Sequence, residues 1–298
     1  RIQVALFNIL HEGDIQIRGF KLRLPLDMQF VFTANPEDYT NRGSIVTPLK
    51  DRIESQILTH YPKDIATSKQ ITLQEAVLSP VQKMNITSSE LAENLLEQIG
   101  FEARQSEFVD PKSGVSARLT ISGYENLFSS AERRMLINNE EKAGIRISDF
   151  WGVIPSITGK IELVYEGEQE GTMIVAQNLI GKAIRSQFAL YFPNPEKLKR
   201  KKEVNPYQEI IDWFSAGNEI DLLNDLSQKD YKELLFSVPG LDESIKKFHP
   251  KIKGEEKLLF MEFLLHGLAE YSLLSKNNLV KGLKFKDLFS SVFRQGDE

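Results

Sequence analysis

Asn35 stands where a side-chain amide can do chemistry. It follows Phe30, Val31, Phe32 and Thr33, an apolar run that fits a buried parallel strand, and Pro36 holds it in an extended exit from that strand. In open α/β sheets ligands gather beyond the carboxyl ends of the strands. The amide is therefore placed to orient a water or to touch a phosphate. An Asn-Pro pair that merely starts a turn accounts for the same residues. A charged pair, Asp51-Arg52, precedes a second strand-like run at Ile57 and Leu58. Arg118 closes the segment Gly114-Val115-Ser116-Ala117-Arg118 ahead of a long helical pattern; taken alone it reads as an ordinary surface arginine. Glu262, His266 and Glu270 share one helix face and could ligate a metal. A polar stripe on an otherwise apolar helix explains the same spacing, and no obvious extra ligand stands elsewhere. His11 and His60 fall at element ends, where a hydrogen-bonded histidine is the simpler reading than a catalytic one.

The elements that must position these residues follow from periodicity. Ile2, Leu6, Ile9 and Leu10 have helical spacing, and His11-Glu12-Gly13 ends that helix. Residues 14–18 and 21–24 alternate on either side of Gly19-Phe20, which predicts a hairpin. Beyond Tyr61-Pro62 the pattern turns helical: residues 73–77, then 88–101 with Leu91, Leu95, Leu96 and Ile99 on one face and Ser88 or Ser89 as cap, then 119–138. Residues 147–150 and 153–157 close this region. From residue 160 the spacing predicts a strand over 161–165, a charged turn over 166–171 and a helix over 173–191 broken by Pro193 and Pro195. Helical stretches are expected over 210–214, 220–226, 231–236, 257–274 and 285–293. The basic run at 197–202 could bind phosphates, but flanked by Glu196 and Glu203 it reads as a solvated linker or helix end. The fold class expected is α/β followed by mostly α, in three segments: 1–62, 63–159 and 160–298.

The order of helix, hairpin (EGDIQIRGFKLRLPL), strand end (TANPED) and charged segment (PLKDRI) resembles the AAA+ ATPases of the MoxR and magnesium chelatase I-subunit group. The likeness spans roughly residues 1–160. It implies that residues 1–62 are the C-terminal part of an AAA+ α/β core, residues 63–159 a helical lid, and residues 160–298 a mainly helical C-terminal domain. Asn35 matches the family's first sensor, which positions the water attacking the γ-phosphate. Arg52 matches the arginine finger that reaches a neighbouring subunit's site, with Ile53 in place of the usual aromatic residue. Arg118 matches the second sensor of a GASPR-like motif, with Ala117 replacing the common proline. The resemblance further implies a cytoplasmic, ring-shaped homo-oligomer, a hexamer, that uses ATP and Mg²⁺ to remodel or assemble a protein partner, such as one with a von Willebrand A domain. Two alternatives differ in class. One is a non-catalytic adaptor whose residues 161–298 dock a partner. The other is a DNA-translocating relative using the hairpin that bears Arg18, Lys21 and Arg23.

A phosphate-binding loop needs GxxxxGK[ST], whose backbone N–H groups cradle phosphate while the lysine and hydroxyl serve phosphate and Mg²⁺. No stretch satisfies it. The nearest, AQNLIGKA at 176–183, lacks the leading glycine and the hydroxyl and reads as helix packing. An acidic Walker B strand end is missing too, so the sequence is expected to begin inside the ATPase module and to be catalytically silent by itself. Across 298 residues the net charge is −5, which argues against bulk polyanion binding and so against the DNA-translocating alternative. With no cysteine, thiolate metal sites and cysteine nucleophiles are excluded, and a reducing compartment fits. The most apolar window, 258–274, is interrupted by Glu262, His266 and Glu270 and reads as a core helix, not a membrane span. No signal peptide is visible.

Overall fold

The computed structural model describes residues 9, 13–23, 29, 31–33, 55–279 and 282–288. The chain divides into two units, Arg1–Tyr61 and Pro62–Glu298.

In the first unit, β1 (Asp14–Ile17) and β2 (Phe20–Arg23) form the expected antiparallel hairpin, with Ile17 opposite Phe20. Arg18 and Gly19 fill the two-residue turn with φ of 49° and 87°. Two successive positive φ values are what the twist of a tight hairpin requires, and glycine supplies one without strain. Asp14 is buried and pairs with Lys21 across the ladder at 2.7 Å. Residues 31–33 form no ladder among the described residues, and Val31 is 82% exposed, so the buried strand expected before Asn35 is not formed there. Ile57 and Leu58 are likewise irregular and exposed. A strand of that kind is stable only between paired neighbours. Of the helix expected over 2–10, only Ile9 is among the described residues, and it is helical.

The second unit is dominated by helices. α1 (Ile65–Glu75) is capped by Asp64, which accepts from Thr67 N at 2.7 Å. α2 (Pro80–Asn85) starts with a capping box between Ser79 and Gln82. β3 (Ile86–Thr87) leads into α3 (Glu90–Gln105), whose cap is Ser89, one of the two serines singled out by sequence. α4 (Arg118–Ile137) follows a loop, and β4 (Ala143–Gly144) then pairs in parallel with β3. A 3-10 segment (Ile147–Val153) runs directly into α5 (Ile154–Thr158).

Residues 161–165 are not a strand. Ile161 and Leu163 make single bridges to Val115 and Val109, and α6 (Tyr165–Glu170) occupies the predicted charged turn. α7 (Thr172–Tyr191) matches its expected span closely, and α8 (Pro195–Lys201) carries the basic run in an exposed last turn. α9 (Gln208–Ser215), α10 (Gln228–Phe236), α11 (Leu241–Phe248) and α12 (Gly254–Glu270) complete the helices. The helix expected over 220–226 begins as a strand instead, and of the helix expected over 285–293 residues 285 and 286 are strand while 289–293 lie outside the described residues. β5 (Ile220–Leu223) and the hairpin β6 (Ser275–Leu279) and β7 (Gly282–Lys286) form an antiparallel sheet in the order β5-β7-β6. Burial alternates with period two along β5 and from Leu283 on in β7: Ile220 and Leu222 are buried and Asp221 and Leu223 exposed, and Leu283 and Phe285 are buried beside the half-buried Lys284 and Lys286.

One core joins these elements, built on α3, α4, α7 and α12. Every residue of α12 from Leu258 to Leu268 is buried, so this helix is covered on all sides. Gly267 permits the closest approach: a Cβ there would fall 1.9 Å from the Phe188 ring of α7.

Candidate functional site

Of the three residues singled out for nucleotide chemistry, Asn35 and Arg52 lie outside the described residues. Arg118 is the first residue of α4 and is exposed. The loop that delivers it is pinned at several points. Asp110 accepts from Lys112 N at 2.9 Å and from Ser113 Oγ at 3.1 Å, Gly114 takes a positive φ of 71°, and Val115 bridges to Ile161. Ser116 Oγ then accepts from Arg118 N at 3.2 Å. The guanidinium is thus held at the start of a long helix and is open to solvent.

No other part of a triphosphate site accompanies it among the described residues. Gly181-Lys182 lies inside α7, and a Cβ on Gly181 would sit 2.8 Å from both carboxylate oxygens of Glu270. A carboxylate in that position repels a phosphate. The reading of this glycine as a packing residue agrees with its contacts. Apart from Arg118, the described residues do not fit a triphosphate.

The Glu262, His266 and Glu270 stripe separates into three different environments. Glu262 is fully buried and accepts from Ile147 N at 2.8 Å, Ser148 N at 3.0 Å and Tyr231 Oη at 2.7 Å. It therefore caps the 3-10 segment from a helix more than a hundred residues away in sequence. Burial pushes its carboxyl above the ordinary range, opposed by the Tyr231 hydroxyl and the Ile147 N–H. Beside it, Asp149 receives Arg134 Nε at 3.1 Å and Nη2 at 2.9 Å, a two-pronged pair, and also Arg146 N at 2.8 Å. Arg146 spans the interior to Leu226 O and Gln228 Oε1, both at 2.8 Å, and stacks over the Tyr231 ring at 3.9 Å. This network is structural: each charge is spent on fixing the elements around α12. Glu270 is paired with Lys276 on β6. Among the described residues no group of three or more candidate ligands could hold a metal.

His266 differs from both acids. It is 3% exposed, and neither ring nitrogen has a hydrogen-bond partner. Its Nε2 lies 3.9 Å from Glu262 Oε1, too far for a hydrogen bond, and Phe285 stands edge-on at 5.0 Å. Burial, with Lys276 adding to it, holds the imidazole well below its ordinary pKa, so the ring is neutral at pH 7. The ring borders a half-open cleft of about 570 Å³ between the 3-10 segment, α5, α7, the end of α12, β6 and β7. Ile147, Phe150, Ile154 and Ile184 supply apolar lining and Trp151 a half-buried indole, while Gln177, Lys182 and Asn278 stand at its polar edge. The sequence pointed to His266 only as a possible ligand on a stripe. The polar residues of α7 and β6 gave no signal, because their meeting depends on how the sheet closes against α7.

His60 Nδ1 lies 2.8 Å from Tyr61 O, an ordinary hydrogen bond, and His11 lies outside the described residues. Among the described residues no helix is long and apolar enough to cross a membrane. Comparison with protein-family models, with curated proteins and with solved structures finds no match.

Proposed function

We propose that this chain is the sensing and coupling part of an AAA+ motor of the MoxR and magnesium chelatase I-subunit kind, which uses ATP hydrolysis to remodel or assemble a protein partner. The observation that carries the reading is Arg118: an exposed guanidinium at the first turn of α4, presented by a glycine-turned loop tied down through Asp110 and Val115. The β1-β2 hairpin, ahead of the TANPED and PLKDRI segments, supports it in order and spacing. On this reading Arg118 responds to the γ-phosphate, Asn35 orients the attacking water, and Arg52 reaches the site of the next subunit in a ring. The phosphate-binding loop and the Mg²⁺-holding acid must then be supplied by residues outside these 298. A cytoplasmic location goes with this reading, as does the absence of cysteine.

The experiment is ATP turnover by the protein as the cell makes it. Arg52→Ala is expected to leave ATP binding intact and to lower turnover by on the order of 10³-fold, because a finger acts on the neighbour's transition state. Arg118→Ala and Asn35→Ala are each expected to lower turnover; Arg118→Ala should leave the melting temperature in place, since this side chain is exposed. Turnover unchanged in all three variants sinks the reading.

A further inference from the structure

The elements on either side of α7 carry surfaces of opposite charge. Ahead of it, α6 leans on the loop that precedes α4: Val164 N donates to Phe108 O at 3.0 Å, and a Cβ on Gly167 would fall 2.6 Å from the same oxygen. Gly167 is therefore the buried point of α6, while Glu166, Glu168 and Glu170 are exposed and form no ion pair among the described residues. Tyr165, Met173 and Ile174 are exposed in the same stretch of chain.

Behind α7, α8 presents Lys197, Lys199 and Arg200, all exposed and likewise without an ion pair among the described residues. The carboxylates that flank the basic run do not neutralise these three: Glu196 is held by Arg185 at 2.5 Å, and Glu203 lies 3.9 Å from Lys201. Leu190 and Val204, 73% and 91% exposed, bracket the run with apolar surface.

These two surfaces are complementary, yet one chain cannot bring its own pair together. α7 is fixed in the core by Val175, Leu179, Ile184 and Phe188. Even Arg185, where α8 leans back on the helix, stands about 20 Å along its axis from Thr172. A contact of α6 with α6, or of α8 with α8, opposes like charges. Contact between unlike surfaces sets carboxylate against cation and takes the apolar side chains of both out of water.

We propose that the acidic surface at α6 of one copy of this chain docks on the basic surface at α8 of another. The contact asks for no nucleotide and stands apart from the roles given to Asn35, Arg52 and Arg118.

Sedimentation velocity without nucleotide reads this association directly. The chain is expected to associate below about 100 μM, and about tenfold more weakly when salt rises from about 0.05 to 0.5 M, because exposed charges are screened. Glu166→Lys, Glu168→Lys and Glu170→Lys made together should abolish association, as should Lys197→Glu, Lys199→Glu and Arg200→Glu. All six positions are exposed, so the variants should melt as the native chain does. The neutral set Glu166→Gln, Glu168→Gln and Glu170→Gln, gentler on α6, should still weaken association about fivefold or more. An equimolar mixture of the two charge-reversed variants should associate again. So should one chain carrying all six reversals, in which the signs are exchanged but still complementary. A native chain that remains monomeric at about 100 μM overturns the proposal. Association undiminished by either charge reversal does the same, as does a folded six-substituted chain that stays monomeric. If the native chain is monomeric and sediments instead with phosphatidylserine vesicles, the cations at α8 face a lipid surface and the proposal fails.

Discussion

At the scale of single residues, His266 makes stability depend on pH in a defined direction. Its folded pKa lies well below its ordinary value of 6.5, so the unfolded chain takes up the proton first. Stability due to the neutral buried ring is complete above about pH 6.5 and is lost as pH falls toward the folded pKa. The charged groups that face the ring are Glu262 on its own helix and Lys276 on β6, while β7 presents the uncharged Phe285. Glu262 has the opposite sign: raised above 4.5, its contribution is complete below that pH and lost as pH rises through its folded value. Comparing the native chain with His266→Gln by urea unfolding isolates the first effect. The native chain's advantage should shrink by at most about 1.4 kcal/mol for each pH unit below 6.5; an advantage that stays constant from neutral pH into mild acid would show that the ring titrates normally. Glu262→Ala strands two buried backbone N–H groups and leaves the Tyr231 hydroxyl only Leu258 O, at 3.3 Å, and should cost about 3 kcal/mol or more by the same measurement. A loss below about 1 kcal/mol would mean water replaces the carboxylate.

Elements were legible where one period persisted for several turns. α3, α4 and α7 lie within a few residues of their expected spans because their apolar stripes are long and their ends carry ordinary signals, Ser89 before α3 and Pro193 after α7. β5 and β7 were not legible. IDLL and GLKFK are too short for period two to be told from period 3.6, and what makes them strands is each other, more than fifty residues apart. Residues 31–33 failed in the reverse direction, since their β propensity is high but they form no ladder among the described residues. The packing of α12 yields its own prediction. Gly267→Ala places a methyl group inside the Phe188 ring, so α7 and α12 must separate or Phe188 must leave its rotamer. Thermal unfolding should register a loss of about 1–3 kcal/mol. Phe188→Leu in the same chain should recover part of it, and an unaltered melting temperature in Gly267→Ala would contradict the close approach.

For the molecule as a whole, the nucleotide reading makes a demanding prediction. Arg118 and Asn35 offer too few contacts to offset the several kcal/mol lost when a nucleotide is immobilised, so calorimetry on these 298 residues should detect no saturable ATP binding. Tight Mg²⁺-dependent binding would reveal a phosphate site of another kind and undo the roles given to Asn35, Arg52 and Arg118. The sequence carried these candidates because the motifs are local strings of residues. It could not carry the cleft, whose walls come from six elements and a loop between Phe108 and Leu283 and acquire meaning only when the chain is closed.

The cap on the 3-10 segment has a consequence in time. Ile147 and Ser148 emerge from the ribosome long before Glu262 does, and their N–H groups must wait for it with only water as partner. The sheet imposes the same delay, for β5 finds its neighbour only once β7 has been made. Helices α3, α4 and α7 can gather early, but this unit cannot lock until Glu262 and β7 have been made. A synthesis that halts before β7 leaves β5 without its neighbour, however well those helices have already packed.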